Sequence, residues 1–310
     1  MSKSRPRRLP FTRPRGRDDA AGTTAETPAE TPAETAAGTP AGTTAGPAAE
    51  TTAAPTAASA ATVTVDPATA AERPRRVGDW LPFVLIRAAH PRQAVLTALV
   101  LAGAAAVDGR PGRELALVLA TVLVGQTILG WHNDLVDESA DRTHERSGKP
   151  IADGRLEAGT AWFALCCAVL LVVPLAISNG VSAGLCYLAS VAVGMIGNVV
   201  LRRGPLSFLT WAIAFALYPA FLSYGGWGGG DHGAAPEPIL VALCALLGIG
   251  VHVLLALWGL VADNADGWTY LPLKLGLRLG ATKLLIGASV YTAVVAAALA
   301  YAASRVGLRQ

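Results

Sequence analysis

The sequence predicts an all-α protein: a multi-span transmembrane helical bundle behind a disordered N-terminal tail. Three observations lead to that class. The 310 residues are 52% hydrophobic and 15% charged, with a mean hydropathy of +0.44, although the first quarter of the chain is polar. An ordinary soluble domain is less apolar than that. From Asp79 onward the apolar residues fall into successive runs long enough to cross a bilayer. Finally, no strand leads into a glycine-rich loop, which excludes a soluble Rossmann or P-loop enzyme.

Residues 1–76 are read as the tail. It opens on a basic cluster (Lys3, Arg5, Arg7, Arg8, Arg13, Arg15, Arg17) and continues in Ala, Thr, Pro, Gly and Glu, with near-repeats at Glu26-Thr27-Pro28-Ala29 and Glu30-Thr31-Pro32-Ala33. Phe11 is its only aromatic residue, so it cannot bury enough surface to offset the entropy of ordering. No apolar segment follows the basic start, so it does not read as a signal peptide. The arginines suit anionic lipid headgroups or simple solubility, and no nucleic-acid partner is expected. Residues 77–310 form the second, membrane-embedded domain.

Seven spans are read within it, at 81–107, 114–135, 158–178, 181–200, 206–225, 237–262 and 282–303. Arg87, His90, Pro91 and Arg92 interrupt the first. Either that helix begins near Pro91, or its basic residues face an interior cavity rather than lipid. Trp80, Trp131 and Trp227 fall near the ends of spans, as an aromatic belt requires. Cys166, Cys167, Cys186 and Cys244 lie inside apolar runs. Cys166 and Cys167 point about 100° apart on a helix, which is no metal spacing, and all four read as small membrane residues.

Lys and Arg concentrate in the tail, the 136–157 loop, the loop at Arg202-Arg203 and the 263–281 loop; the alternate loops are poorer. Under the positive-inside rule those segments are cytoplasmic, in a multi-pass protein of the cell membrane. The acids that end the second and sixth spans therefore open to the same compartment.

The first acidic stretch runs from Trp131 to Arg142. Asp134 and Asp137 are three residues apart, and Asn133 with Asp137, and Asp137 with Asp141, four apart. On a helix these side chains share one face. Carboxylates so close repel one another, and a cation is expected between them. Mg2+ suits the position, because it takes oxygen ligands and is usually held by one or two carboxylates plus substrate phosphates. A basic run follows at once (Arg142, Arg146, Lys149, Arg155) and suits phosphate. The blander reading is a solvated acidic helix end.

The segment Asn133-Asp134-x-x-Asp137-x-x-x-Asp141-Arg142, followed by Ser147-Gly148-Lys149-Pro150-Ile151-Ala152-Asp153-Gly154, resembles the first signature of the UbiA-type membrane prenyltransferases. The resemblance implies that Asn133, Asp134, Asp137 and Asp141 hold Mg2+ against an isoprenyl diphosphate, with basic residues on the diphosphate. Leu271, Pro272, Lys274, Leu275 and Gly276 fit the run that follows that family's second signature, and Asp263 with Gly267 fits its spacing. The upstream Asp of that signature falls here on Gly259, and a frequent Asn on Leu255. Asp266, three residues after Asp263, is a candidate replacement ligand. The family usually has about nine spans against the seven read here, over a resemblance covering residues 80–305.

The diphosphate contacts implied by the resemblance are Arg142, Arg146, Lys149, Arg202 and Lys274. Asn198, just before Arg202, divides evenly between helix–helix hydrogen bonding and diphosphate binding. Gln126 lies two turns before the acids, within reach of a metal-bound water or a carbonyl. His252 reads as a satisfied interior group ahead of a ligand. Trp211, Phe215, Tyr218 and Trp258 are candidates to line an apolar cavity, or simply core.

The implied activity is Mg2+-assisted ionisation of an isoprenyl (allylic) diphosphate and transfer of the prenyl group to a small, aromatic acceptor. The alternative within the same family is a terpene cyclase, in which the chain's own double bonds attack the cation. From a different class, a transporter or non-catalytic scaffold would also carry intramembrane polar residues. Acids gathered at one rim, and not along a path, argue against it.

Overall fold

The computed structural model describes residues 80–145, 148–226 and 235–306. The tail expected over 1–76, Arg146 and Trp227 lie outside them. Among the described residues there are helices and no strand. In chain order they are α1 (Leu81–Ala88), α2 (Pro91–Val107), α3 (Gly112–Thr143), α4 (Ala158–Ile177), α5 (Val181–Ile196), α6 (Ser207–Ser223), α7 (Pro238–Ala256), α8 (Leu260–Ala265), α9 (Leu271–Leu279) and α10 (Ala281–Val306). A π turn, Gly197–Leu201, extends α5.

Five of these are long and apolar enough to cross a membrane: α3, α4, α5 with its π turn, α7 and α10. The two shorter apolar helices, α2 and α6, have 17 residues each. At 1.5 Å per residue that is about 25 Å, the lower end of what spans a bilayer core. Together they correspond to the seven runs read in the sequence. Their outward surfaces carry Leu96, Leu99, Phe163, Leu170, Val200, Ile286 and Val294 exposed, whereas Ala98, Ala105, Ala161, Ala176 and Ala183 are fully buried. Large residues outside and small ones between helices is the arrangement of a bundle solvated by lipid, and exposed apolar surface on that scale is foreign to a soluble monomer.

Successive helices pack side by side, α2 on α3, then α4, α5, α6, α7 and α10, with α3 also meeting α5 and α2 touching α6. The main core joins α1 through α6, and a smaller cluster of Val253, Leu284 and Ala288 joins α7 to α10.

Three of the predicted spans differ in detail. The first is two helices: α1 ends at Ala88, His90 takes a left-handed backbone (φ 52), and α2 starts with Pro91 in its first turn. Proline at that position lacks only an N–H that would be unpaired anyway, so of the two alternatives the later start is observed, and Arg87 and Arg92 are exposed. The sixth stops at Ala256, six residues early, because the chain turns at Leu257–Gly259 before α8 resumes. The second span instead runs on, two turns past Leu135, so that the whole acidic stretch is helical.

At the end of the bundle away from the acids, Arg110 is 6% exposed and donates to the carbonyls of Leu222 and Gly225. Burial lowers its guanidinium below the ordinary arginine range, with Glu114 and Asp108 opposing. Asn179 donates nearby to Thr121 Oγ1 (2.9 Å) and to the Leu175 carbonyl (2.8 Å). These bonds tie loops to helices at that end.

Candidate active site

The 3.6-residue period sets the site. Asp134, Asp137 and Asp141 recur at three- and four-residue intervals on α3 and are buried, 2%, 6% and 1% exposed. Asn133, a third of a turn away, is half-buried. Buried carboxylates need partners, and each one here meets a basic side chain from a different part of the chain. Lys149, from the loop after α3, places Nζ 2.5 Å from Asp134 Oδ1 and 3.5 Å from Asp141 Oδ2. Arg202, just past the π turn, donates to Asp137 Oδ1. His90 sets Nε2 2.7 Å from Asp134 Oδ1 and 3.4 Å from Lys149 Nζ.

His90 reaches Asp134 because α1 is clamped to α3. Trp131 Nε1 donates to the Leu85 carbonyl at 2.9 Å. One residue earlier Gly130 admits the α1–α2 turn, since a Cβ there would lie 2.6 Å from the Ala89 carbonyl oxygen. The left-handed backbone at His90 costs a non-glycine residue about 1–2 kcal/mol, which the clamp holds in place.

The second acid sits on the short α8. Asp263 is 7% exposed, and its Oδ2 accepts a 2.5 Å hydrogen bond from the Tyr270 hydroxyl. The following loop leans over the first site: Trp268 lies under the Arg202 guanidinium at 4.7 Å and the Arg203 guanidinium at 5.4 Å, and Thr269 N donates to the Arg203 carbonyl at 2.9 Å. Asp266, exposed at the end of α8, pairs with His144 Nε2 at 2.9 Å beside the end of α3.

Of the residues singled out in the sequence, the structure therefore brings Asp134, Asp137, Asp141, Lys149 and Arg202 together, with the Asp263 segment joined to them through Trp268. Arg142 turns away to Glu138 Oε1 (2.8 Å) and is exposed. Lys274 is exposed on α9 and has no ion pair among the described residues. Asn198 Nδ2 lies 3.3 Å from His132 Nδ1, a contact between helices, as one of its two readings had it. Gln126 donates to the Tyr218 hydroxyl at 3.3 Å. His252 meets Ser207 Oγ at 3.0 Å and stacks on Trp211 at 5.5 Å, so it is a satisfied interior group. Trp211, Phe215 and Tyr218 form a tier of rings along α6. Trp258 lies past the end of α7 in the turn before α8 and is 92% exposed, so it does not line a cavity among the described residues.

His90, Tyr270, Trp268 and His144 were not singled out as site residues. His90 left a trace, as a polar residue before a proline inside an apolar run. Nothing in the local sequence announced the others.

Neither known protein families nor curated proteins give a match. Among solved structures, the chain is similar to a UbiA homolog from Archaeoglobus fulgidus bound to GPP and Mg2+, with 19% identity and a TM-score of 0.56 over 73% of this chain and 80% of that one. It is equally similar to the structure of a UbiA homolog from the same organism bound to DMAPP and Mg2+ (19%, TM-score 0.56, 72% and 80% covered). The form bound to Cd2+ follows at 18%, TM-score 0.54, with 73% and 81% covered. The two proteins share a fold.

Proposed function

We propose that the chain is a UbiA-type membrane enzyme that binds an isoprenyl diphosphate together with Mg2+ where α3, the Lys149 loop, the Arg202 turn and α8 meet. The observation that carries this reading is the stripe of three buried carboxylates, with Lys149 and Arg202 bound to it, at one end of an apolar bundle. Support comes from the fold shared with a protein bound to GPP and Mg2+.

The donor set fits such an ion. Every candidate ligand is a hard oxygen, as Mg2+ prefers. Among the described residues no three acids lie as they stand in a group that could hold an ion, and with Lys149 and Arg202 between them ligation requires those two cations to turn aside. Mg2+ is typically held by one or two carboxylates and completed by substrate phosphates and water. On this reading Asp134, Asp137 and Asp141, with Asn133 beside them, hold one ion, and Asp263 holds a second, with Asp266 at hand. When bound, Mg2+ neutralises the charge that develops on the leaving diphosphate.

The chain's own groups do the rest. Lys149 and Arg202 already lie among the acids and are poised to turn toward diphosphate oxygens, stabilising the charge released as the allylic C–O bond breaks. Arg142 and Lys274 are the outer cations, Asn198 flanks Arg202, and Arg146 is a diphosphate contact on the sequence resemblance alone. The lipid-embedded helices keep water from the carbocation, and the isoprenoid tail is itself soluble in the bilayer. The basic loops beside the site support a mouth on the cytoplasmic side of the cell membrane, by the positive-inside rule.

The finer reading is transfer of the prenyl group to a small aromatic acceptor. Cyclisation is the second reading, favoured by one observation: the tier of Trp211, Phe215 and Tyr218, whose ring faces suit a migrating positive charge. Membranes containing the protein, given Mg2+ and the C10, C15 or C20 diphosphates without acceptor, separate the two. Diphosphate release with a cyclic terpene product means cyclase; release only on adding an aromatic acceptor means prenyltransferase. Silence under every condition would sink both and leave a scaffold or transporter.

A further inference from the structure

The place of the Asp263 carboxylate is defined by two residues that the acidic motifs do not include. Gly259 lies one turn earlier, at the start of α8. A Cβ built there would fall 2.6 Å from Asp263 Oδ2 and 3.2 Å from its Cγ, so the carboxylate occupies space that any other side chain at 259 would fill. The Tyr270 hydroxyl donates to that same Oδ2 at 2.5 Å. Tyr270 is 2% exposed and Asp263 7%. Water does not compete for the bond, and in such surroundings a hydrogen bond is electrostatically stronger than in solvent.

Tyr270 is itself fixed. Its ring meets Trp268 edge-on at 5.8 Å and lies 6.4 Å from His252, while Trp268 N donates to the Asp263 carbonyl at 3.0 Å and closes the loop. Trp268 carries Arg202 on its face, and Arg202 holds Asp137. An unbroken path of contacts therefore runs from Asp263 through Tyr270 and Trp268 to the acid stripe of α3.

We infer that Tyr270 is a positioning residue for the second acid, its hydroxyl holding the Asp263 carboxylate over Gly259 in register with the α3 carboxylates. This rests on the function proposed above, in which Asp263 ligates a divalent cation. A neutral phenol donates a hydrogen bond and is a poor ligand for a hard ion, so Tyr270 acts through Asp263. It compensates for the glycine that stands where the resembled signature has its upstream aspartate. Without the hydroxyl, the carboxylate loses the bond that fixes its Oδ2 in the gap that Gly259 leaves. Partners behind a metal ligand typically matter about 10–100-fold in metal affinity.

The test uses the full chain in lipid nanodiscs, with Tyr270→Phe, Asp263→Asn and the double variant. Mn2+ binding is followed by electron paramagnetic resonance, with inorganic diphosphate present, and the Mg2+ requirement by diphosphate release from a prenyl diphosphate. Tyr270→Phe is expected to weaken the Asp263-dependent Mn2+ site about tenfold and raise the Mg2+ concentration for half-maximal turnover equally, with kcat recovering at saturating Mg2+. The double variant should be no worse than Asp263→Asn alone. Wild-type Mn2+ affinity in Tyr270→Phe, additive losses in the double variant, or a loss that saturating Mg2+ does not restore would each overturn the inference. If the wild type shows no Mn2+ site sensitive to Asp263→Asn, the metal reading fails with it; if it does and Tyr270→Phe is silent, this inference fails alone.

Discussion

Lys149 spans two turns of α3, its ammonium lying 2.5 Å from Asp134 Oδ1 and 3.5 Å from Asp141 Oδ2. One cation from a loop thus ties both ends of the acidic stripe, and Arg202 closes the middle at Asp137. Three carboxylates on a single helix face repel one another; in the fold their cross-links come from two separate loops. Assembly of the site and closure of the bundle's end are one event.

Lys149→Gln removes the cross-link and leaves two carboxylates buried at 2% and 1% exposure. Breaking a fully buried pair costs about 3–5 kcal/mol. Lys149 keeps 19% of its side chain exposed and His90 still contacts Asp134, so a loss of about 1–2 kcal/mol is expected. Thermal unfolding in detergent should show it, together with a KM for the diphosphate raised tenfold or more. A variant with unchanged midpoint and KM removes Lys149 from the site.

Asp137 and Arg202 form a largely enclosed pair, with Trp268 behind the guanidinium. Asp137→Ala is expected to abolish diphosphate release, and Arg202→Gln to reduce it about 100-fold. In a double-mutant cycle on unfolding stability the two should couple by about 0.5–3 kcal/mol. Simple additivity would mean that the contact does not persist in the membrane.

The parts legible in the sequence were those with a local signature. Hydropathy located the spans, and the helical period put Asp134, Asp137 and Asp141 on one face. The same period separates Arg142 from its neighbour Asp141 by about 100° and aligns it with Glu138, a pairing that could have been read from the spacing. The illegible parts are contacts across the bundle. His90 and Asp134 are 44 residues apart, and the clamp joining them depends on a glycine at 130 whose role exists only once α1 lies on α3. The turn at Gly259 was hidden for a similar reason: within an apolar run a single glycine reads as a weak helix residue, not as the floor beneath a carboxylate.

The two glycines should respond differently. Gly130→Val pushes against the backbone of Ala89, which cannot yield as a side chain tip does, so about 1–3 kcal/mol of stability is expected to go, with activity, as His90 leaves Asp134. At Gly259→Ala the added methyl first meets the Asp263 carboxylate, the end of a side chain and not backbone. There the unfolding midpoint should move little while turnover falls at least tenfold and recovers partly with more Mg2+. Equal stability losses at both positions would contradict the geometry given for Gly259.

Asp266 provides the last separation. It follows Asp263 by three residues, yet it is exposed and its carboxylate faces His144 at 2.9 Å, linking the end of α8 to the end of α3. If that pair is its main task, Asp266→Ala and His144→Ala should each lower turnover only a few-fold, as loss of an exposed ion pair worth about 0.2–1 kcal/mol would, and the double variant should match either single one. Asp263→Ala should be inactive in the same assay. Should Asp266→Ala be as inactive as Asp263→Ala while His144→Ala is nearly normal, Asp266 is the second ligand of that ion, and the two acids of α8 act together.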